Sequence, residues 1–160
     1  MGCPGSGKST LAKKLAKEYN LPLIHLDSIY WRKNWTNISE EEFDKKLEEE
    51  MSKDSWIIDG NYNRTITRRI EKSDTIIYLD YSRLTCIIGV IKRIIKYRKV
   101  VRSDMGEGCF EKFDLEFFKF IWNFNKENRK KYYDILSKLE SKREFIIKSR
   151  RELNKITLKD

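Results

Sequence analysis

Several features are missing from this sequence, and each absence argues against a class of protein. No stretch approaches the run of ~18 uncharged apolar residues that a membrane-spanning helix requires. The N-terminus opens on glycine, proline and lysine instead of the apolar core of a signal peptide. Repeats, low-complexity linkers and composition breaks are absent, so the 160 residues read as one domain, 1–160, with its own core. The cysteines are Cys3, Cys86 and Cys109, odd in number and without metal-ligand spacing. They fit reduced thiols in a cytosol. No helix-turn-helix or zinc module is recognisable. The expected protein is cytoplasmic, free of the membrane, and a monomer or homodimer.

What is abundant says less than it first suggests. The formal charge is +9, but there are 22 lysines and 19 isoleucines against two alanines, a bias that A/T-rich codons produce unaided. A lysine-rich surface binds polyanions loosely and in a salt-dependent way. A solvated surface, phosphorylated small molecules and nucleic acid all stay open as explanations.

Short apolar runs alternate with amphipathic helices, the pattern of a parallel sheet with crossover helices. The pattern predicts a helix over 8–19 with Leu11, Ala12, Leu15, Ala16 and Tyr19 on one face, stopped by Asn20, then a strand over 21–26. Ser39 and Glu42 form a capping box for a helix over 40–53. Strands over 56–58, 75–79 and 144–148 follow, with helices over 66–71 and 83–97. Asp114 caps a long helix reaching Leu139, with a break expected near Asn125, and a short helix ends at Ile156. The first three strands end at Asp27, Asp59 and Asp80, and ligands of open α/β sheets sit beyond the carboxyl ends of strands. Asp80 is expected to be structural; Asp27 and Asp59 are candidates for chemistry.

The strongest signal is Gly2-Cys-Pro-Gly-Ser-Gly-Lys-Ser-Thr10, which matches G-x-x-x-x-G-K-[ST] at the start of an amphipathic helix. The glycines let the backbone curl so that several N–H groups face one anion, and the helix presents its positive end to it. Gly2, Pro4, Gly5, Ser6, Gly7, Lys8, Ser9 and Thr10 are therefore the expected ATP-phosphate site, with Lys8 on the β/γ-phosphates and Ser9 on Mg²⁺. A buried strand ordinarily delivers such a loop, and only Met1 stands in that place. The first central strand is thus expected to be missing from this chain: either about five apolar residues lie upstream of its first residue, or another segment fills the gap.

The glycine loop, Leu-Ile-His-Leu-Asp27, Trp-Ile-Ile-Asp59-Gly-Asn-Tyr-Asn-Arg64-Thr, Tyr-Leu-Asp80, Phe-Asp-Leu-Glu-Phe around Asp114 and Ile-Lys-Ser-Arg150 together carry a resemblance over nearly the whole chain. They resemble the bacterial DNA topology modulation proteins, relatives of adenylate kinase within the P-loop kinases. The resemblance implies an α/β fold of nucleoside-monophosphate-kinase type: a five-stranded parallel sheet ordered 2-3-1-4-5 with flanking helices and a small helical lid over about 98–125. It implies ATP and Mg²⁺ as cofactors and phosphoryl transfer to an unidentified small acceptor. The alternative is a nucleotide-dependent regulatory protein that influences DNA topology with little kinase activity. Asp59-Gly-Asn-Tyr-Asn-Arg64 is similar to the Asp-Gly-Phe-Pro-Arg element of nucleoside monophosphate kinases. By that likeness Asp59 orients metal-bound water and Arg64 holds the acceptor's phosphate or another anion, while Asp27 orients or deprotonates the acceptor.

Lys92, Arg93, Lys96, Arg98, Lys99 and Arg102 place six cations in eleven residues leading into the implied lid. Arg93, Arg98 and Arg102 are the candidates to neutralise transferred charge; a solvated helix face and a DNA-backbone contact stay open. Seven aromatics between Phe110 and Phe124 are expected to pack as core or interface rather than to stack bases. Trp31 and Trp35 either line the acceptor site or pack the fold, and His25 is expected to be structural. Arg150, after the last strand, is placed to stack on adenine.

Overall fold

The computed structural model describes residues 1–98, 100–139 and 141–153. Lys99 of the basic run and Ile156 at the expected last helix lie outside them. Helix α1 spans Lys8–Tyr19 and ends where Asn20 takes a left-handed conformation, its N–H closing on the Ala16 carbonyl. Asparagine tolerates that conformation better than most residues, which makes it a natural stop. Strand β1 covers only Leu23–His25, and the chain turns at once into α2, Leu26–Tyr30. Asp27 therefore sits in the first turn of a helix and not at the end of a strand. The reason is the short ladder: β1 pairs with the three residues of β4, and nothing extends the pairing past His25.

A small antiparallel ribbon that the apolar pattern does not reveal, β2 (Trp31–Arg32) and β3 (Thr36–Asn37), comes next. Helix α3, Glu40–Met51, begins where the Ser39 hydroxyl accepts the Glu42 N–H at 3.1 Å. Its apolar face of Phe43, Leu47 and Met51 is buried. Only half of the capping box forms, because the Glu42 side chain pairs with Lys46 at 2.6 Å. Then follow β4 (Ile57–Asp59), α4 (Ile66–Lys72), β5 (Thr75–Leu79) and α5 (Arg83–Lys96). Helix α6 runs unbroken from Leu115 to Leu136, capped by Asp114 as its position predicts. The expected break at Asn125 does not occur; its side chain instead donates to the Tyr81 carbonyl at 3.0 Å. Strand β6 (Arg143–Ile147) and α7 (Arg150–Leu153) complete the described chain. The described residues of the segment expected to be a helical lid are irregular as far as Asp114. Gly106 and Gly108 break any helix there, and Gly108 adopts φ +75°.

The sheet is not one five-stranded layer. It consists of two parallel pairs, β1–β4 and β5–β6. Between them Met1 and Gly2 lie along β5: the Leu79 N–H donates to the Met1 carbonyl at 3.0 Å, and the Met1 amine donates to Ile77 at 2.7 Å. Of the implied order 2-3-1-4-5, the structure shows the two outer parallel pairs and a stub at Gly2 bridged to β5 alone. Beside the stub is a cavity of about 580 Å³ lined by Leu11, Ile57, Ile58, Ile66, Ile70 and Ile77, among others. The gap leaves two separate apolar cores. The larger joins β5 and β6 to α5 and α6 through Tyr78, Val90, Ile121, Phe124, Tyr132 and Ile147. The smaller packs Ile24 and Leu26 on Phe43, Leu47 and Met51.

Candidate functional site

The glycine loop is positioned from behind by α5. A Cβ on Gly5, which has φ +82°, would lie 2.1 Å from the Cys86 carbonyl oxygen, so the loop rests directly on helix backbone. The Cys3 carbonyl, and not its thiol, organises the turn. It accepts the Ser6 N–H at 3.1 Å and the Lys8 ammonium at 3.1 Å. Gly7 is the N-cap of α1 at φ +96°, and a Cβ there would meet nothing within 4 Å. The positive end of a twelve-residue helix therefore faces open space. Ser6 adds a buried hydroxyl without a hydrogen-bond partner beside it. Open space at Gly7, the unsatisfied N–H groups of a helix N-terminus and an unpartnered hydroxyl are what a polyphosphate would complete.

Opposite the loop, the short β1–β4 ladder places His25 beside Asp59, with Nδ1 to Oδ2 at 3.1 Å. Burial opposes ionisation of Asp59, but the His25 hydrogen bond, the Lys8 charge and the Ser9 hydroxyl outweigh it and bring its pKa from 3.8 to about 2. His25 is thus the partner that holds Asp59. Ser9 and Asp59 together fit a Mg²⁺ site of the kind in which the nucleotide supplies most ligands. Among the described residues, no three His, Cys, Asp or Glu side chains are grouped to hold a metal by themselves. The depressed pKa has a measurable consequence. Asp59 stabilises the fold above its unfolded pKa by about 2 kcal/mol, and that contribution is lost as pH falls from about 4 toward 2. Asp59→Asn is expected to flatten the acid limb of a stability–pH curve in that window. An unchanged limb would remove Asp59 from the ionised network.

Asp27 accepts a hydrogen bond from the Tyr62 hydroxyl at 3.0 Å. Burial raises its pKa, with the Tyr62 bond opposing, and the nearby Asp59 charge adds to the rise. Trp31 packs edge-on against Tyr30 at 5.0 Å and Trp35 at 5.7 Å, and Tyr30 in turn meets Tyr62 at 5.1 Å. These aromatics pack on one another, and of them Tyr62 reaches Asp27. Arg64 is not brought to them. It lies on the surface, with its guanidinium on Asp44 at 2.7 and 2.8 Å and near Glu40 at 3.5 Å. The buried cation of this segment is Arg69, which donates to the carbonyls of Gly60, Asn61 and Tyr62. It fixes the turn that carries Asp59 and Tyr62.

The lid segment brings Arg93 and Arg102 together on one buried carboxylate. Their Nε atoms lie 2.9 and 3.0 Å from the same Glu111 oxygen, close ion pairs although neither N–H points along the contact. Arg102 also approaches Asp104 at 3.5 Å, and Asp104 pairs with Lys13 of α1 at 3.4 Å. The segment carrying Arg102, Asp104 and Glu111 is thereby tied to the helix that follows the glycine loop. Arg98 is exposed beyond the end of α5, and Arg150 is exposed at the start of α7. Asp80 is structural, as its position suggests: Arg129 at 2.7 Å and Tyr133 at 2.9 Å anchor it to α6. Of the aromatic run, Phe124 is core, whereas Phe110, Phe113, Phe120 and Trp122 stay exposed. Asp104, Glu111 and Arg69 escaped sequence reasoning. A lone acidic residue at the end of a basic run was the available signal for the first.

A glycine-loop phosphate cradle at a helix N-terminus, in an α/β fold with parallel strands, defines a P-loop nucleotide-binding protein. The model of the ATPase family associated with various cellular activities (AAA) matches residues 1–80, half of the chain, and the chain belongs to that family. It is also similar to an adenylate kinase of Caldanaerobacter subterraneus subsp. tengcongensis, 38% identical over 74 residues, which are 46% of this chain and 32% of that kinase. The chain thus spans about a third of the length of that relative. No helix among the described residues is long and apolar enough to cross a membrane.

Proposed function

We propose that the chain is an adenylate-kinase-like phosphotransferase that moves the γ-phosphoryl group of ATP, with Mg²⁺, to a small acceptor beside Asp27. The observation that carries this reading is the convergence of a cradle open to an anion at Gly7, the Lys8–Ser9–Asp59 cluster, and two lid arginines drawn inward by Glu111. Phosphoryl transfer is mostly positioning and charge neutralisation, which is what these groups can supply. Backbone amides and Lys8 hold the β- and γ-phosphates. Ser9 and Asp59 would hold Mg²⁺, which when bound neutralises phosphate charge. Arg93 and Arg102 close over the transferred group, and Asp27 orients the acceptor. The likeness of Asp59-Gly-Asn-Tyr-Asn-Arg64 to the kinase element supports the same assignment. The DNA-directed alternative would use Lys92 and Lys96, which stay exposed on α5, whereas Arg93 and Arg102 face Glu111.

The test is equilibrium Mg-ATP binding to this chain and to Lys8→Ala. Saturable binding that weakens by about a hundredfold or more in the variant is expected. Equal binding by both proteins would put the nucleotide elsewhere.

A further inference from the structure

The acceptor side of the site is short of free positive charge, and that shortage selects a substrate class. Arg64 would be the natural partner for an acceptor phosphate, but it is neutralised outside the site by Asp44 and Glu40. Asp44 is itself shared with Arg68 at 3.0 Å, so α3 and the segment after β4 are clamped together with Arg64 facing outward. Arg69 has its guanidinium on three backbone carbonyls. At the rim, Arg32 reaches Glu42 at 3.6 Å and the Ile29 carbonyl at 3.3 Å. Arg102, whose charge is felt at Asp27, is paired with Glu111 and Asp104 and is assigned above, with Arg93, to the transferred group and not to a second phosphate. Lys8, whose charge is also felt at Asp27, donates to the Cys3 carbonyl at 3.1 Å and is assigned above to the nucleotide phosphates. Among the described residues, what is shown at Asp27 is the Tyr62 hydroxyl, with Tyr30 packed on Tyr62 and Trp31 on Tyr30, and the Asp59 carboxylate close enough to be felt. A phosphomonoester bears up to two negative charges, and burying it without forked cations is costly.

We propose that the acceptor is a hydroxyl compound with no phosphate of its own and an apolar or aromatic body, held by Asp27 and the Tyr30–Trp31–Tyr62 cluster. This rests on the phosphotransferase reading above. In the step, the acceptor oxygen attacks the γ-phosphorus and forms the new O–P bond. The bond from that phosphorus to the β,γ-bridging oxygen breaks, its electron pair leaves on ADP, and the hydroxyl proton passes to the Asp27 carboxylate. Burial of Asp27 makes it a stronger base than an exposed aspartate, which suits that role.

The experiment uses the chain saturated with Mg²⁺ and a non-hydrolysable ATP analogue, with Arg64→Ala alongside. Each is titrated calorimetrically with AMP, GMP, CMP, UMP and glucose 6-phosphate. The phosphomonoesters are expected to bind at least about a hundredfold more weakly than the analogue, in both proteins alike. Binding of any of them comparable to the analogue overturns the proposal, whether or not Arg64→Ala removes it. Failure to bind the analogue itself overturns the cradle reading, and the acceptor assignment falls with it. In ATP-consumption assays with the corresponding nucleosides and glucose, turnover is expected to drop in Asp27→Asn while affinity for the analogue stays unchanged. Turnover untouched by Asp27→Asn also counts against the proposal.

Discussion

Gly89→Ala is expected to destabilise the protein by about 3 kcal/mol and to weaken ATP binding at least about tenfold. The direction is informative because ordinary helix energetics predict the reverse. In an open helix interior, replacing glycine by alanine stabilises by roughly 1 kcal/mol. Here the added Cβ would stand 2.0 Å from the Gly5 carbonyl oxygen and 2.9 Å from its carbon. Neither is the end of a flexible side chain, so α5 or the phosphate loop must move. Gly5 and Gly89 face each other, and the displaced group is the turn that aims N–H groups at the anion. Gly7→Ala separates the two effects. Its Cβ meets nothing within 4 Å, so stability should fall only by the strain of φ +96°, about 1–2 kcal/mol. Its methyl group nevertheless enters the anion space, so ATP affinity should drop as far as in Gly89→Ala. Thermal unfolding with and without Mg-ATP reads both quantities. A neutral or stabilised Gly89→Ala would show that loop and helix are not in close contact.

Gly89 also illustrates where sequence reading stops. Within an apolar amphipathic pattern it registers as a small local cost, and nothing nearby reveals that another backbone crosses it. Elements defined by their own residues were legible: α1 with Asn20 as its stop, the Ser39 and Asp114 caps, and the Thr75–Leu79 run that forms β5. Their signals are local hydrogen bonds and local periodicity. Elements whose limits depend on a partner were not. The apolar run at 21–26 extends past the strand, because β4 offers only three residues to pair with. The same division holds in the site. The phosphate cradle is contiguous and its motif reports it directly. The Arg93–Glu111–Arg102 cluster is assembled across an irregular segment whose path no spacing rule predicts. Arg64 occupies a recognisable position in its motif, but its direction depends on Asp44 and Glu40, acidic residues of a helix distant in sequence.

An extension of five β-branched apolar residues ahead of Met1 is expected to raise stability by about 3 kcal/mol, or roughly 6–12 °C in Tm. The gain comes from the gap in the sheet. Met1 and Gly2 already pair with β5 in parallel register, so residues added ahead of Met1 continue along Ile77 and Thr75. On the other side, the far edge of β4 presents its backbone groups to the same gap, without a strand partner among the described residues. Five such side chains entering a cavity of about 580 Å³ lined by isoleucines and leucines gain about 10 kcal/mol by burial, against about 7 kcal/mol to order the added backbone. Replacing the buried Met1 amine by a peptide bond adds to the gain, because burial holds that amine's pKa down at about 5. An equally long Gly-Ser extension supplies the peptide bond without the apolar side chains, and should recover little. ATP affinity should rise with the apolar extension, since a filled gap joins β4, which bears Asp59, to β5, which supports the glycine loop. Equal effects of the two extensions would mean that the gap does not act as a strand site. A gain in stability without a gain in affinity would mean that the cradle assembles independently of the centre of the sheet.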